Sequence, residues 1–237
     1  MRKLRIFLII MLMLSYEISC AVSIPDYQNI RPVTAVTQDT ALLNQIYYNG
    51  KVWIGLYYNV YGTEFIIEDR WFRASVVVDG ISFDGVEIKY YIYNDDLLAN
   101  YLGRKIIILN KERVDSFTIH LDDSDLCFSN MDPDQGIKGY YQVIYEGNSQ
   151  IYKKWRKKRA QFAIEARYDE FQPDNTLLVV IDNRVNEVKN RRHLLNIMSD
   201  RKKEIKDFMR HENIRIDLDR AESLIPILEY YDTMHEN

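Results

Sequence analysis

The sequence predicts a mainly β protein of the α+β class, an antiparallel β-meander or curved sheet with short C-terminal helices packed against it. Three observations carry that prediction. Apolar and polar residues alternate with a period of two through Val86-Glu87-Ile88-Lys89-Tyr90, which sends successive side chains to opposite faces of a strand. Pairs such as Asn49-Gly50, Asp79-Gly80 and Asp182-Asn183 separate the runs. Reversals this short join antiparallel strands, because parallel ones need crossovers of about a dozen residues or more. After about residue 188 the period becomes helical.

In chain order, Arg2, Lys3 and Arg5 precede an uncharged apolar run, Ile6 to Leu14, and then Ser19-Cys20-Ala21. These are the charged, apolar and small-residue parts of a secretory signal, so residues 1–21 are expected to be a signal peptide and the protein to be exported. A membrane-spanning helix needs about 20 apolar residues. This run falls short of that and no later segment comes closer, so no transmembrane segment is expected after cleavage. Cleavage after Ala21 is the leading expectation. Lipid attachment at Cys20 is an alternative, opposed by Glu17, which stands where a lipobox carries leucine; an uncleaved anchor is the third. Cleavage would leave Cys127 as the one cysteine, hence no disulfide within the mature chain, and 28 basic against 34 acidic residues. That balance gives nucleic acid no general attraction, and no nucleic-acid partner is expected.

Residues 22–40 mix Pro, Thr, Asp and Gln without a period and read as an irregular lead-in. The antiparallel β domain is expected over 41–188. Hairpins begin at Asn49-Gly50, and turns follow at Asp79-Gly80, at Asp84-Gly85 and at Asn110 to Glu112, between Ile106 to Leu109 and Val114 to Ile119. "DDSDLCFSNMDPDQGIKG" reads as a polar loop. "YYQVIYEG" then turns at Gly147-Asn148 into "SQIYKKWRKK", read as one long strand because Trp and Tyr suit a half-buried sheet. Asp182-Asn183 tips a last hairpin.

Residues 189–237 are expected to be a helical segment. Leu194, Leu195, Ile197 and Met198 recur at helical spacing, and Ser199 or Asp200 caps a second helix whose stripe is Ile205, Phe208 and Met209. A third helix runs through "SLIPILEYYD". Pro226 kinks it if Asp219 and Glu222 form a capping box, and lies harmlessly in its first turn if Ser223 is the cap.

The ordered set "YYNGKVWIGLYYNV", "VVVDGISFDGVEIKYYIYNDDLL", "NKERVDSFTI", "YYQVIYEGNSQIYKK" and "LLNIMSDRKKEIKDFMRHENI" resembles a group of exported proteins from Bacteroidota-type bacteria. The resemblance implies an envelope protein of a Gram-negative cell, periplasmic or held at the outer membrane. It brings no activity and no catalytic residue.

Candidate chemistry is thin. The acidic stretch Asp122, Asp123, Asp125, Asn130, Asp132 and Asp134 offers calcium ligands, but Gln135 and Tyr141 occupy the EF-hand positions that require glycine and glutamate. The four histidines, His120, His193, His211 and His235, are scattered and lack zinc spacing. No nucleophile elbow surrounds a serine, Cys127 has no local signature, and no glycine-rich phosphate loop occurs; no cofactor is expected. Asp95 with Asp96 and Glu165 with Asp169 are paired carboxylates, but neighbours on a strand face opposite ways. The strongest charge feature is Lys153, Lys154, Trp155, Arg156, Lys157 and Lys158, continued by Arg159, where cations beside aromatics could contact an anion or lipid. The alternative is a solvated strand edge guarded by lysine. The leading functional expectation is a non-catalytic envelope module or scaffold binding a protein, peptide or lipid. A carboxylate-based hydrolase of an envelope polymer and a periplasmic lipid or lipoprotein carrier are the alternatives.

Overall fold

The structure, a computed structural model, describes residues 40–55, 60–131, 137–161 and 169–235. Eleven strands form one open sheet. Their ranges are β1 (Lys51–Val52), β3 (Phe72–Val78), β4 (Ile81–Tyr91), β5 (Asp96–Tyr101), β6 (Lys105–Ile108), β7 (Val114–His120), β8 (Asp125–Met131), β9 (Gly139–Glu146), β10 (Gln150–Lys154), β13 (Thr176–Ile181) and β14 (Arg184–Glu187). The spatial order is β1-β6-β5-β4-β3-β7-β8-β9-β10-β13-β14, with every neighbouring pair antiparallel. A second sheet joins β11 (Lys157–Ala160), β12 (Asp169–Pro173) and β2 (Val60–Tyr61), with β12 and β2 parallel. The helices are α1 (Thr40–Tyr47), α2 (Arg191–Ile197), α3 (Lys202–His211) and α4 (Ile225–Thr233).

The large sheet curls. Four strand spacings separate β4 from β9, which at about 4.8 Å each would hold their side chains roughly 19 Å apart in a flat sheet. Yet the Tyr90 ring on β4 lies 5.9 Å from the Tyr140 ring on β9, 5.3 Å from Phe117 on β7 and 5.2 Å from Phe128 on β8. Only a curl that brings β4 over to β9 allows this. The concave side is filled: Val76, Ile88, Leu97, Ile119 and these four rings are buried in one cluster with Tyr47 of α1. A second cluster joins Ile151, Leu177, Val179 and Ile181 to Leu194, Ile205, Met209, Leu224 and Leu228, so the C-terminal helices pack on the sheet as predicted. Asp232 of α4 anchors them, accepting from the Ser149 N–H at 3.1 Å and the Tyr145 hydroxyl at 3.0 Å in the β9–β10 hairpin.

Several turns form as expected. Asp79-Gly80 and Asp182-Asn183 both take positive φ, the requirement of tight hairpin turns. Pro226 sits in the first turn of α4, behind a 3₁₀ turn over Ala221–Leu224. Other readings change. Residues 40–47 form α1 rather than a strand before Asn49-Gly50: Leu and Gln favour a helix, and the helix end lets Tyr47 meet Phe83 at 5.2 Å. Asp84-Gly85 makes a bulge inside β4, where the register to β3 shifts, instead of a turn. β6 and β7, joined by the predicted turn, pair with β5 and with β3 and β8, because the curl lets a short link cross between strands that are not neighbours. The polar loop contains β8. The long strand breaks at Trp155 and Arg156, leaving β10 in one sheet and β11 in the other. Cys127 is buried on β8, where its sulfur accepts from the Thr118 hydroxyl at 3.7 Å; the second cysteine, Cys20, lies outside the described residues.

Candidate functional site

The six residues of the basic run go to different places. Alternation on β10 buries Lys153 and Lys154 on opposite sides. Lys153 donates to the Asp219 carbonyl at 3.0 Å and stands 4.0 Å over the Trp155 ring, whose Nε1 donates to Gln142 at 2.7 Å. Lys157 donates to the Phe65 carbonyl at 2.8 Å and to that of Thr63. Arg156 and Lys158 are exposed, both 3.6 Å from Asp174. Three of the cations are thus held by internal partners.

Lys154 leads to the main polar cluster, at the seam of the curl. Its side chain is 8% exposed and its ammonium lies 2.7 Å from Asp95 Oδ1 and 2.8 Å from the Tyr140 carbonyl. Asp95 sits in the tight turn between β4 and β5 with φ 62°, the left-handed region that Asp and Asn tolerate. Its carboxylate also accepts from the Tyr90 hydroxyl at 2.6 Å and pairs with Lys111 at 3.1 Å. Lys111 reaches Asp96 at 3.9 Å, and Asn130 of β8 anchors the Lys111 carbonyl at 2.7 Å. The cluster therefore ties the β4–β5 turn, the β6–β7 link, β8, β9 and β10 together.

Burial dominates the electrostatics. It pushes the Lys154 ammonium below its ordinary value, and the Asp95 charge partly restores it. It pushes the Tyr90 hydroxyl well up, aided by Asp95, and raises the Asp96 carboxyl, which Lys111 opposes. Burial likewise raises Tyr47 and Tyr140, and brings Tyr152 to about 12.

These shifts predict an alkaline transition. The fold holds the protons of Tyr47, Tyr90, Tyr140 and Tyr152 above pH 10.0, where unfolded tyrosines release them. The folded state then binds more protons, so stability falls as pH rises from about 10 toward 12 and beyond. Lys153, Lys154 and Lys157, lowered from 10.5, act oppositely and only below that value: there the unfolded state binds more protons and stability rises with pH. Far-UV circular dichroism and tyrosinate absorbance should change together above pH 10. Full ionisation of all tyrosines near pH 10 in a protein still folded would contradict this.

The acids that look active in linear order do not converge. Asp84 accepts from Ser82 at 3.2 Å, Glu87 accepts from Asn100 at 2.9 Å, and Asp95 lies in the seam. Asp125 pairs with His120 at 3.1 Å, and Asp169 with Arg159; Asp132, Asp134 and Glu165 lie outside the described residues. Among the described residues no three His, Cys, Asp or Glu side chains gather as a metal site. Sequence reading named Asp95 and Asp96 but missed that Lys111, Lys154 and Tyr90 meet them. A lysine in a polar turn looks solvated, and no local spacing signals a contact made by curling.

No protein-family model, curated protein or solved structure matches the chain.

Proposed function

We propose that the protein is exported to the cell envelope and serves there as a non-catalytic binding or scaffold module. The observation that carries this is the seam: its carboxylate and ammonium groups neutralise one another inside the fold, with Asp95 held by Lys154, Lys111 and Tyr90. Groups so paired stabilise a closure and are poorly placed to attack or protonate a substrate. The filled concave side argues in the same direction, since a lipid carrier needs a hollow where Tyr90, Phe117, Phe128 and Tyr140 stand. Export rests on the order of charged, apolar and small residues before Ala21, and on the resemblance to exported proteins.

A polymer hydrolase is the second reading, and one observation favours it. Asp95 and Asp96 both approach the Lys111 ammonium, at 3.1 and 3.9 Å, and glycosidases act with two carboxyl groups a short distance apart.

Affinity capture from cell envelopes, with the recovered chain weighed by mass spectrometry, tests the proposal. The expected result is a chain beginning at Val22 and an envelope component enriched over a mock capture. Nothing above background, together with cleavage of an envelope polymer that Asp96→Asn abolishes, would replace the binding reading with the hydrolase.

A further inference from the structure

The first two C-terminal helices, α2 and α3 with their flanking residues, carry charge of opposite sign to the whole chain. Residues 189–215 hold nine Lys or Arg against four Asp or Glu, in a protein of formal net charge −4. On α3, Lys202, Lys206 and Arg210 stand four apart and so share one side of the helix. Like charges at that spacing weaken a helix slightly. The stripe faces a groove of about 590 Å³ lined by Arg191, Leu195, Lys206, Met209, Arg210 and Ile214, among others. A second hollow of about 430 Å³ shares Arg191, Leu195 and Lys206 and adds Arg192 and Lys202. Arg210 pairs with Asp207 at 3.0 Å and Lys202 donates to Asn196 at 2.7 Å. Among the described residues no carboxylate pairs with Arg191, Arg192 or Lys206.

We propose that this groove binds the phosphate of an anionic lipid headgroup at a membrane surface. The inference rests on the binding-module reading above and names its partner. Charge complementarity supplies the attraction, acting over about 8 Å at physiological salt, so the local patch outweighs the acidic remainder of the chain once a surface is near. The choice of lipid over a free phosphate comes from the edge. Half-buried Ile214 gives the groove an apolar edge beside the core residues Leu195 and Met209, which are themselves almost wholly buried; a hydrated oxyanion cannot use that edge, whereas the junction of headgroup and acyl chain can.

The test uses the full chain and compares phosphatidylcholine vesicles with an equal mixture of phosphatidylcholine and phosphatidylglycerol. An apolar N-terminal run would partition into both, so the readout is the ratio of the two affinities. The wild-type protein is expected to prefer the mixed vesicles by about tenfold or more, less at higher salt. Arg191→Glu with Lys206→Glu should abolish the preference. Arg104→Glu with Lys138→Glu, the same charge change at exposed positions elsewhere, should keep it. Free glycerol phosphate at equal phosphate concentration should not displace the protein.

Three results would overturn the proposal: equal loss in both variants, an undiminished ratio in the groove variant, or displacement by glycerol phosphate or more strongly by duplex DNA. No preference for mixed vesicles, with an envelope component still captured, sinks this inference and leaves the binding reading standing. Failure of both sinks both.

Discussion

Asp95→Asn is expected to destabilise the protein by about 3 to 5 kcal/mol, the usual cost of leaving one member of a buried ion pair without its partner. The Lys154 ammonium is 8% exposed and would keep the Tyr140 carbonyl but lose the Asp95 carboxylate 2.7 Å away. Lys111 would lose its partner at 3.1 Å as well. Asparagine isolates the charge, because it accepts the φ of 62° at this position, where alanine would add backbone strain. For a chain of this size the loss corresponds to a fall in Tm of roughly 10 °C. Thermal melts at neutral pH provide the check, and a shift under about 2 °C would mean that the seam contributes little.

Gly139→Ala is the second large effect. Gly139 opens β9 with φ 92°, a conformation that L side chains rarely adopt. An added Cβ would overlap Asp95 Oδ2 and lie 2.9 Å from Lys154 Nζ. Both atoms belong to the seam, so relief requires the ion pair itself to move. Strain and the lost pairing together should cost at least about 3 kcal/mol. Urea unfolding is the measurement, with a lower midpoint and an unchanged slope expected. Gly80, also at positive φ but with open space around the added atom, is the control. Gly80→Ala should cost clearly less, and equal losses at both sites would assign the effect to backbone conformation alone.

Much of the fold was legible in the sequence where the signal is local. Asp79-Gly80 and Asp182-Asn183 dictate tight turns through their own backbone preferences, and period two dictates which face of β3 and β4 is buried. The helical stripe of Leu194, Leu195, Ile205 and Met209 was likewise readable, and all four are buried against the sheet. What failed to show is what the curl decides. Residues of β6 and β7 follow one another through a short turn, yet they pair with other strands. Asp95 and Lys154 look unrelated in order and meet because β4 closes over β9. Lysines at 153, 154 and 157 read as a surface charge run, yet alternation and the break at Trp155 turn their ammonium groups to internal carbonyls and, for Lys154, to Asp95 as well. The basic residues of α3, Lys202, Lys206 and Arg210, are four apart and interrupted by acids, so they form no run in linear order as 153–158 does.

A thermodynamic cycle over Asp95→Asn, Lys154→Met and their combination tests most directly whether the seam is a closure. If it is, each single change is costly, the double variant recovers most of the loss as a neutral pair, and the coupling energy reaches about 2 kcal/mol or more. Additive losses with no recovery would contradict it and return these charges to consideration as a working site.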